Sequence, residues 1–177
     1  MTCKVTYEDI INLLWKRRDG PEFQKLLEDL GETSYKQDPV EGQPDAYDDS
    51  FSSFGLGLFT LDALIQIAWI WVEGREPSRR ISVLPAGILE TDTIEDVRNK
   101  FPTPPVASKA GDKPSERFRL SDSYIAEESK FHNISIEIGF TSASGGPRLI
   151  ILMRTDKENW PLKKKDENQI KAIQQRH

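Results

Sequence analysis

The chain has 177 residues, 37% of them hydrophobic and 30% charged, with a formal net charge of −5. That length suits one domain, with a core able to take roughly 70% of the unfolded surface out of water. The negative balance argues against general nucleic-acid binding, which needs a basic face, and is compatible with a basic protein partner.

The first residues, Met1-Thr2-Cys3-Lys4-Val5, carry no secretory pattern. Cys3 is the single cysteine, so no internal disulfide is expected, which fits a reducing, cytoplasmic setting. Thr6-Tyr7-Glu8-Asp9 reads as a helix N-cap with an acid three positions later. Ile10, Ile11, Leu13 and Leu14 form its apolar stripe, and Lys16, Arg17 and Arg18 fall in the expected last turn. Asp19-Gly20 ends that helix. Pro21 opens a second one, with Phe23, Leu26, Leu27 and Leu30 on one face and Gly31 at its end. Together they predict an N-terminal helical hairpin.

Glu32 to Ser50 reads as a loop containing Pro39, Gly42 and Pro44. It holds Asp38, Glu41, Asp45, Asp48 and Asp49 against Lys36 alone. It is either a solvated connection or an acidic docking surface, and its length favours a role. Phe51 to Phe59 reads as a strand in which Gly55 and Gly57 alternate with Phe54, Leu56 and Leu58. Glycines on one side of a strand imply a bulge or something packed closely there.

After a turn at Thr60 to Ala63 comes the most apolar run, Leu64 to Val72. It falls short of the ~20 apolar residues of a membrane helix, so no membrane partner is expected. Ile65, Ile67, Trp69 and Trp71 share one side of an extended chain, and Leu64, Gln66, Ala68, Ile70 and Val72 the other. This predicts a central strand covered on both faces, antiparallel to the one before it. Trp69 and Trp71 could form a stacking platform, although a packed pair on a sheet face is the more ordinary arrangement.

Glu73 to Pro77 is a turn, and Ser78 to Val83 a short edge strand. Leu84-Pro85-Ala86-Gly87 is a bend. Thr93-Ile94-Glu95-Asp96 starts a short helix with Val97 and Phe101 inward, stopped by Pro102. Val106 to Ser115 reads as an exposed loop. A meander follows: Arg117 to Leu120, Tyr124 to Glu128, Ile134 to Phe140 and Leu149 to Met153, with a hairpin turn at Gly145-Gly146. The fold class is α+β: a helical hairpin on a mainly antiparallel twisted sheet of about five to six strands, with one short helix inserted between strands. Residues 1–160 form one domain, and 161–177 a polar tail.

No catalytic apparatus is visible. The only histidines are His132, in a turn, and His177. No paired His or Cys spacing suggests a metal, no G-x-S-x-G elbow a nucleophile, and no glycine-rich motif a nucleotide. The expectation is a non-enzyme without cofactor or metal.

Phe51-Ser52-Ser53-Phe54-Gly55-Leu56-Gly57-Leu58, the strand through Val72, Leu84-Pro85-Ala86-Gly87-Ile88 and Thr93-Ile94-Glu95-Asp96-Val97 resemble a pattern in small bacterial immunity proteins. These are encoded beside polymorphic toxins, including those of contact-dependent growth inhibition. Phe101-Pro102-Thr103-Pro104 stands where that pattern has Leu-Gly-x-Pro. The resemblance implies an inhibitor that blocks the active site of a cognate toxin, a nuclease with a basic groove. The expected contacts are Asp38, Glu41, Asp45, Asp48 and Asp49, with Tyr35 and Tyr47 as aromatic anchors. The alternative is a non-catalytic interaction or assembly module.

Overall fold

A computed structural model describes residues 4–31, 35–72, 81–110, 120–126, 134–142 and 145–154. Cys3, His132, His177, the turn at 73–77 and the tail expected over 161–177 lie outside them. Three α-helices and eight strands are present among the described residues: α1 Tyr7–Leu13, α2 Pro21–Leu30, β1 Lys36–Pro39, β2 Ala46–Phe51, β3 Leu56–Leu61, β4 Leu64–Trp71, α3 Ile94–Lys100, β5 Ala107–Ala110, β6 Leu120–Ala126, β7 Ile134–Phe140 and β8 Pro147–Arg154.

The strands form one antiparallel sheet in the order β1-β2-β3-β4-β8-β7-β6-β5. Two four-stranded meanders therefore meet at the centre, where β4 pairs with β8. The link from β4 to β5 carries α3. This is an α+β fold, with more strands than the sequence suggested.

Helix starts follow their local signals. Thr6 and Thr93 each accept from the backbone N–H of the residue three positions on, Asp9 and Asp96, whose carboxylates accept from the threonine N–H in return. Pro21 opens α2, and Gly31 closes it at φ 58, where a glycine is least strained.

α1 is shorter than its stripe suggests. Leu14 is extended and Trp15 adopts φ 68, so Lys16, Arg17 and Arg18 leave the helix. The Trp15 N–H donates to Ile65 O (2.6 Å), the Ile65 N–H to Lys16 O (3.0 Å) and the Arg18 N–H to Ala63 O (2.9 Å). β4 thus captures the segment between the helices, in place of a simple Asp-Gly-Pro turn.

The expected loop at 32–50 is largely a hairpin, with Asp38 opposite Asp48 and Lys36 opposite Ser50. Aspartate is a poor strand former in isolation. Here the ladder to β3 imposes the extended form on β2, and β2 on β1. The strand expected over Phe51 to Phe59 breaks at a turn over 52–55, so β2 and β3 are separate. The exposed loop expected from Val106 contains β5 instead, paired to β6. The separate strands expected at 117–120 and 124–128 are one strand, β6, over the described part. Of the edge strand expected at 78–83, the described residues join no sheet. The Ser82 N–H donates to Val5 O and the Tyr7 N–H to Val83 O, both at 2.9 Å.

β4 carries a correction with consequences. Phe59 pairs with Ile67 but Thr60 pairs with Ile65, which makes Gln66 an extra residue, a bulge. The alternation slips by one there. Ile65 is fully buried with Ala68 and Ile70, while Ile67, Trp69 and Trp71 lie half-buried on the opposite face.

The pairing registers define the face that carries the helices. One row runs Phe51, Leu56, Ile70, Ile150, Ile138, Asp122; the next runs Asp49, Leu58, Ala68, Leu152, Ile136, Tyr124. All are buried and join α1, α2 and α3 residues in one core, apart from the two aspartates that end the rows. Burying each large aliphatic side chain there stabilises the fold by roughly 1.5–3 kcal/mol.

A close approach ties β8 to the turn before α3. A Cβ added at Gly146 would lie 1.8 Å from the Glu90 carbonyl oxygen. Backbone is slow to yield, so Gly146→Ala is expected to destabilise by about 2–3 kcal/mol. A urea melt reads this as a lower midpoint at unchanged slope.

Candidate functional site

The acids and tyrosines expected to form one contact surface fall in different places. Glu41 and Asp45 are exposed at the β1–β2 turn. Tyr47, 36% exposed, helps line a shallow 370 Å³ depression there with Pro39, Val40, Pro44 and Asp45. Asp38 and Asp48 face each other on the side of the sheet away from the helices.

Asp49 and Tyr35 lie on the helix side instead. Asp49 is 1% exposed, and its carboxylate takes both arms of Arg18: Nε to Oδ2 at 2.6 Å and Nη2 to Oδ1 at 2.7 Å. Nη2 also donates to the Tyr35 hydroxyl at 3.2 Å. The guanidinium sits 5.4 Å from the Phe23 ring centroid and 5.9 Å from that of Tyr35. Tyr35 in turn stacks on Phe51 at 5.4 Å. The hydrogen bond from Arg18 to Asp49 raises the already high guanidinium pKa, so Arg18 keeps its charge. This is a clamp holding the α1–α2 segment to the sheet.

A second clamp closes the far side. Arg98 of α3 reaches Asp122 through Nε–Oδ2 (2.7 Å) and Nη2–Oδ1 (3.2 Å). Ser108 Oγ donates to Oδ1 at 2.6 Å and the Tyr124 hydroxyl to Oδ2 at 3.4 Å. Burial alone would raise the Asp122 carboxyl, but the hydrogen bonds from Arg98 and Ser108 outweigh it and hold it below the usual range. Tyr124 is pushed up to about 12 by burial and then by the Asp122 charge. Phe101 stacks on Tyr124 at 3.8 Å. Neither clamp was legible in the sequence, because Arg18 and Arg98 look like ordinary helix-end cations.

The open face holds the remaining candidate. Across it the registers place Ser50, Gly57, Trp69, Ile151 and Glu137 in one row and Asp48, Phe59, Ile67 and Met153 in the next. Trp69 packs over Gly57, where a Cβ would come within 2.9 Å of the indole. That close packing is the one the alternating glycines anticipated. A cleft of about 340 Å³ lies there, with Asp48, Ser50, Ser52, Gly57, Trp69 and Trp71 among its lining residues.

Asp48 Oδ1 is buried and has no hydrogen-bond partner among the described residues. Burial, then the charges of Asp38 and Asp49, push the Asp48 carboxyl up. Like charges directly opposite on neighbouring strands are destabilising, so the fold carries a local electrostatic penalty at this spot.

Among the described residues no cluster of His, Cys, Asp and Glu is arranged to hold a metal ion, and no helix is long and apolar enough to cross a membrane. Compared with family models, curated proteins and solved structures, the chain matches none of them.

Proposed function

We propose that this protein is an immunity-type inhibitor that binds and neutralises a cognate toxin domain, a nuclease, by laying an acidic surface over its basic groove. The observation that carries this reading is the edge hairpin β1–β2. Glu41 and Asp45 are exposed at its turn, and Asp38 opposes Asp48 beside it. Lys36 is the only cation of residues 35–51, and it pairs with Asp38 at 2.8 Å. A cationic partner would relieve the repulsion that the hairpin maintains alone, and the shared field would speed encounter. Asp49 and Tyr35 belong to the Arg18 clamp, so in this reading they support the surface from behind.

The test is inhibition of the toxin encoded beside this chain. The expected result is stoichiometric loss of toxin activity. Charge reversal of Asp38, Glu41, Asp45 and Asp48 to lysine should slow association at low salt by about 10- to 100-fold. Unchanged toxin activity at excess protein would reject the reading. Capture of several cellular proteins and no toxin would favour a general interaction module.

A further inference from the structure

We propose that the cleft between Asp48 and the Trp69–Trp71 pair receives an arginine side chain of a basic protein partner. The chemistry of the walls selects it. One wall is β2, whose outward residues Asp48 and Ser50 offer a carboxylate and a hydroxyl; the other holds the indoles of Trp69 and Trp71. A guanidinium is planar, stacks on indole faces and donates in a fork to a carboxylate, so one group satisfies both walls.

The floor is Gly57, which lets Trp69 lie against the backbone of β3. The bulge at Gln66 is what turns Ile67, Trp69 and Trp71 together onto this open face. Charge complementarity names the occupant. Asp48 Oδ1 is buried without a partner among the described residues, and Asp38 stands directly across the strand pair. Asp38 already pairs with Lys36 at 2.8 Å, so a cation placed there answers Asp48, whereas a neutral sugar would stack on the indoles and leave that carboxylate unanswered. The volume of about 340 Å³ accommodates one long side chain.

The inference takes the partner's basic character from the inhibitor reading, but the cleft can be tested without a toxin. The full chain is titrated with N-acetyl-arginine methylamide while the indole resonances of Trp69 and Trp71 are followed, assigned through W69F and W71F. The expected result is saturable movement of both, with a Kd on the order of millimolar, weakened about tenfold or more in Asp48→Asn. The citrulline analogue, isosteric but uncharged, should leave the resonances in place.

Asp48→Asn should also raise Tm at pH 7 by about 1–3 °C, since it removes a carboxylate that the fold disfavours, so a loss of binding is not a loss of folding. No saturable shift, an equal response to citrulline, or undiminished binding by Asp48→Asn overturns the proposal, as does saturation by a neutral disaccharide alone. Arginine binding in the cleft together with unaltered toxin activity would sink the inhibitor reading and leave the cleft standing.

Discussion

Asp49→Ala is expected to destabilise the protein by about 3–5 kcal/mol, the range for breaking a buried ion pair by removing one partner. The size follows from what stays behind. Arg18 keeps its charge between the rings of Phe23 and Tyr35, with its side chain only 21% exposed and its two strongest acceptors gone. The substitution also loosens the segment that the Arg18 N–H pins to Ala63. Urea melts should show a lower midpoint. Asp38→Ala is the control: its pair with Lys36 is exposed, and such pairs are worth no more than about 1 kcal/mol. Replacing Arg18 and Asp49 together with apolar residues of similar size should recover much of the loss. Equal effects from Asp49→Ala and Asp38→Ala would show that the clamp is not structural.

The second large effect is at Asp122, and it depends on pH. Asp122→Asn keeps the shape but removes the charge that accepts from Arg98, Ser108 and Tyr124, and should cost about 3 kcal/mol at neutral pH. The folded carboxyl sits below its ordinary value. A depressed carboxyl contributes stability that is present above the unfolded pKa, about 3.9, and is lost as pH falls through the folded pKa. The gap between wild type and variant should therefore be flat from about pH 7 to pH 5 and narrow below about pH 4.

Tyr124 gives the opposite window. Its pKa, raised from 10.0 to about 12, means its contribution is present below 10 and is lost as pH rises through about 12. Urea midpoints across both ranges check the signs. A gap that does not change with acid would remove the charge from the account of this clamp.

The two clamps share a logic with the open face. Each buried row of the helix side ends in an aspartate, answered in one case by Arg18 of the α1–α2 link and in the other by Arg98 of α3. Asp48, on the other side of β2, has no such answer among the described residues. Neighbouring aspartates on one strand therefore do different work: Asp49 holds the helices down, and Asp48 holds an unmet charge beside two indoles. Alternation along a strand separates them, although in the sequence they read as one acidic stretch.

What the sequence by itself determined were features written in near neighbours. The two threonine–aspartate capping boxes, Pro21 and Gly31 around α2, the alternating residues of β7 and the apolar run of β4 all describe contacts within one element or one turn. The glycines of the 51–58 stretch also announced a close approach, though not by which side chain. Tertiary structure decided the rest. β1 and β5 are polar edge strands, β2 is the strand inside β1, and their extended form comes from the ladders β1–β2, β2–β3 and β5–β6 rather than from their own propensity. The early end of α1 is set by hydrogen bonds to β4, and the side on which Trp69 and Trp71 emerge by a one-residue slip against β3. Local propensity is worth tenths of a kcal/mol per residue, while a sheet partner or an arginine across the core supplies more than that at once. That is why an apparent acidic loop became a hairpin with two chemically different faces.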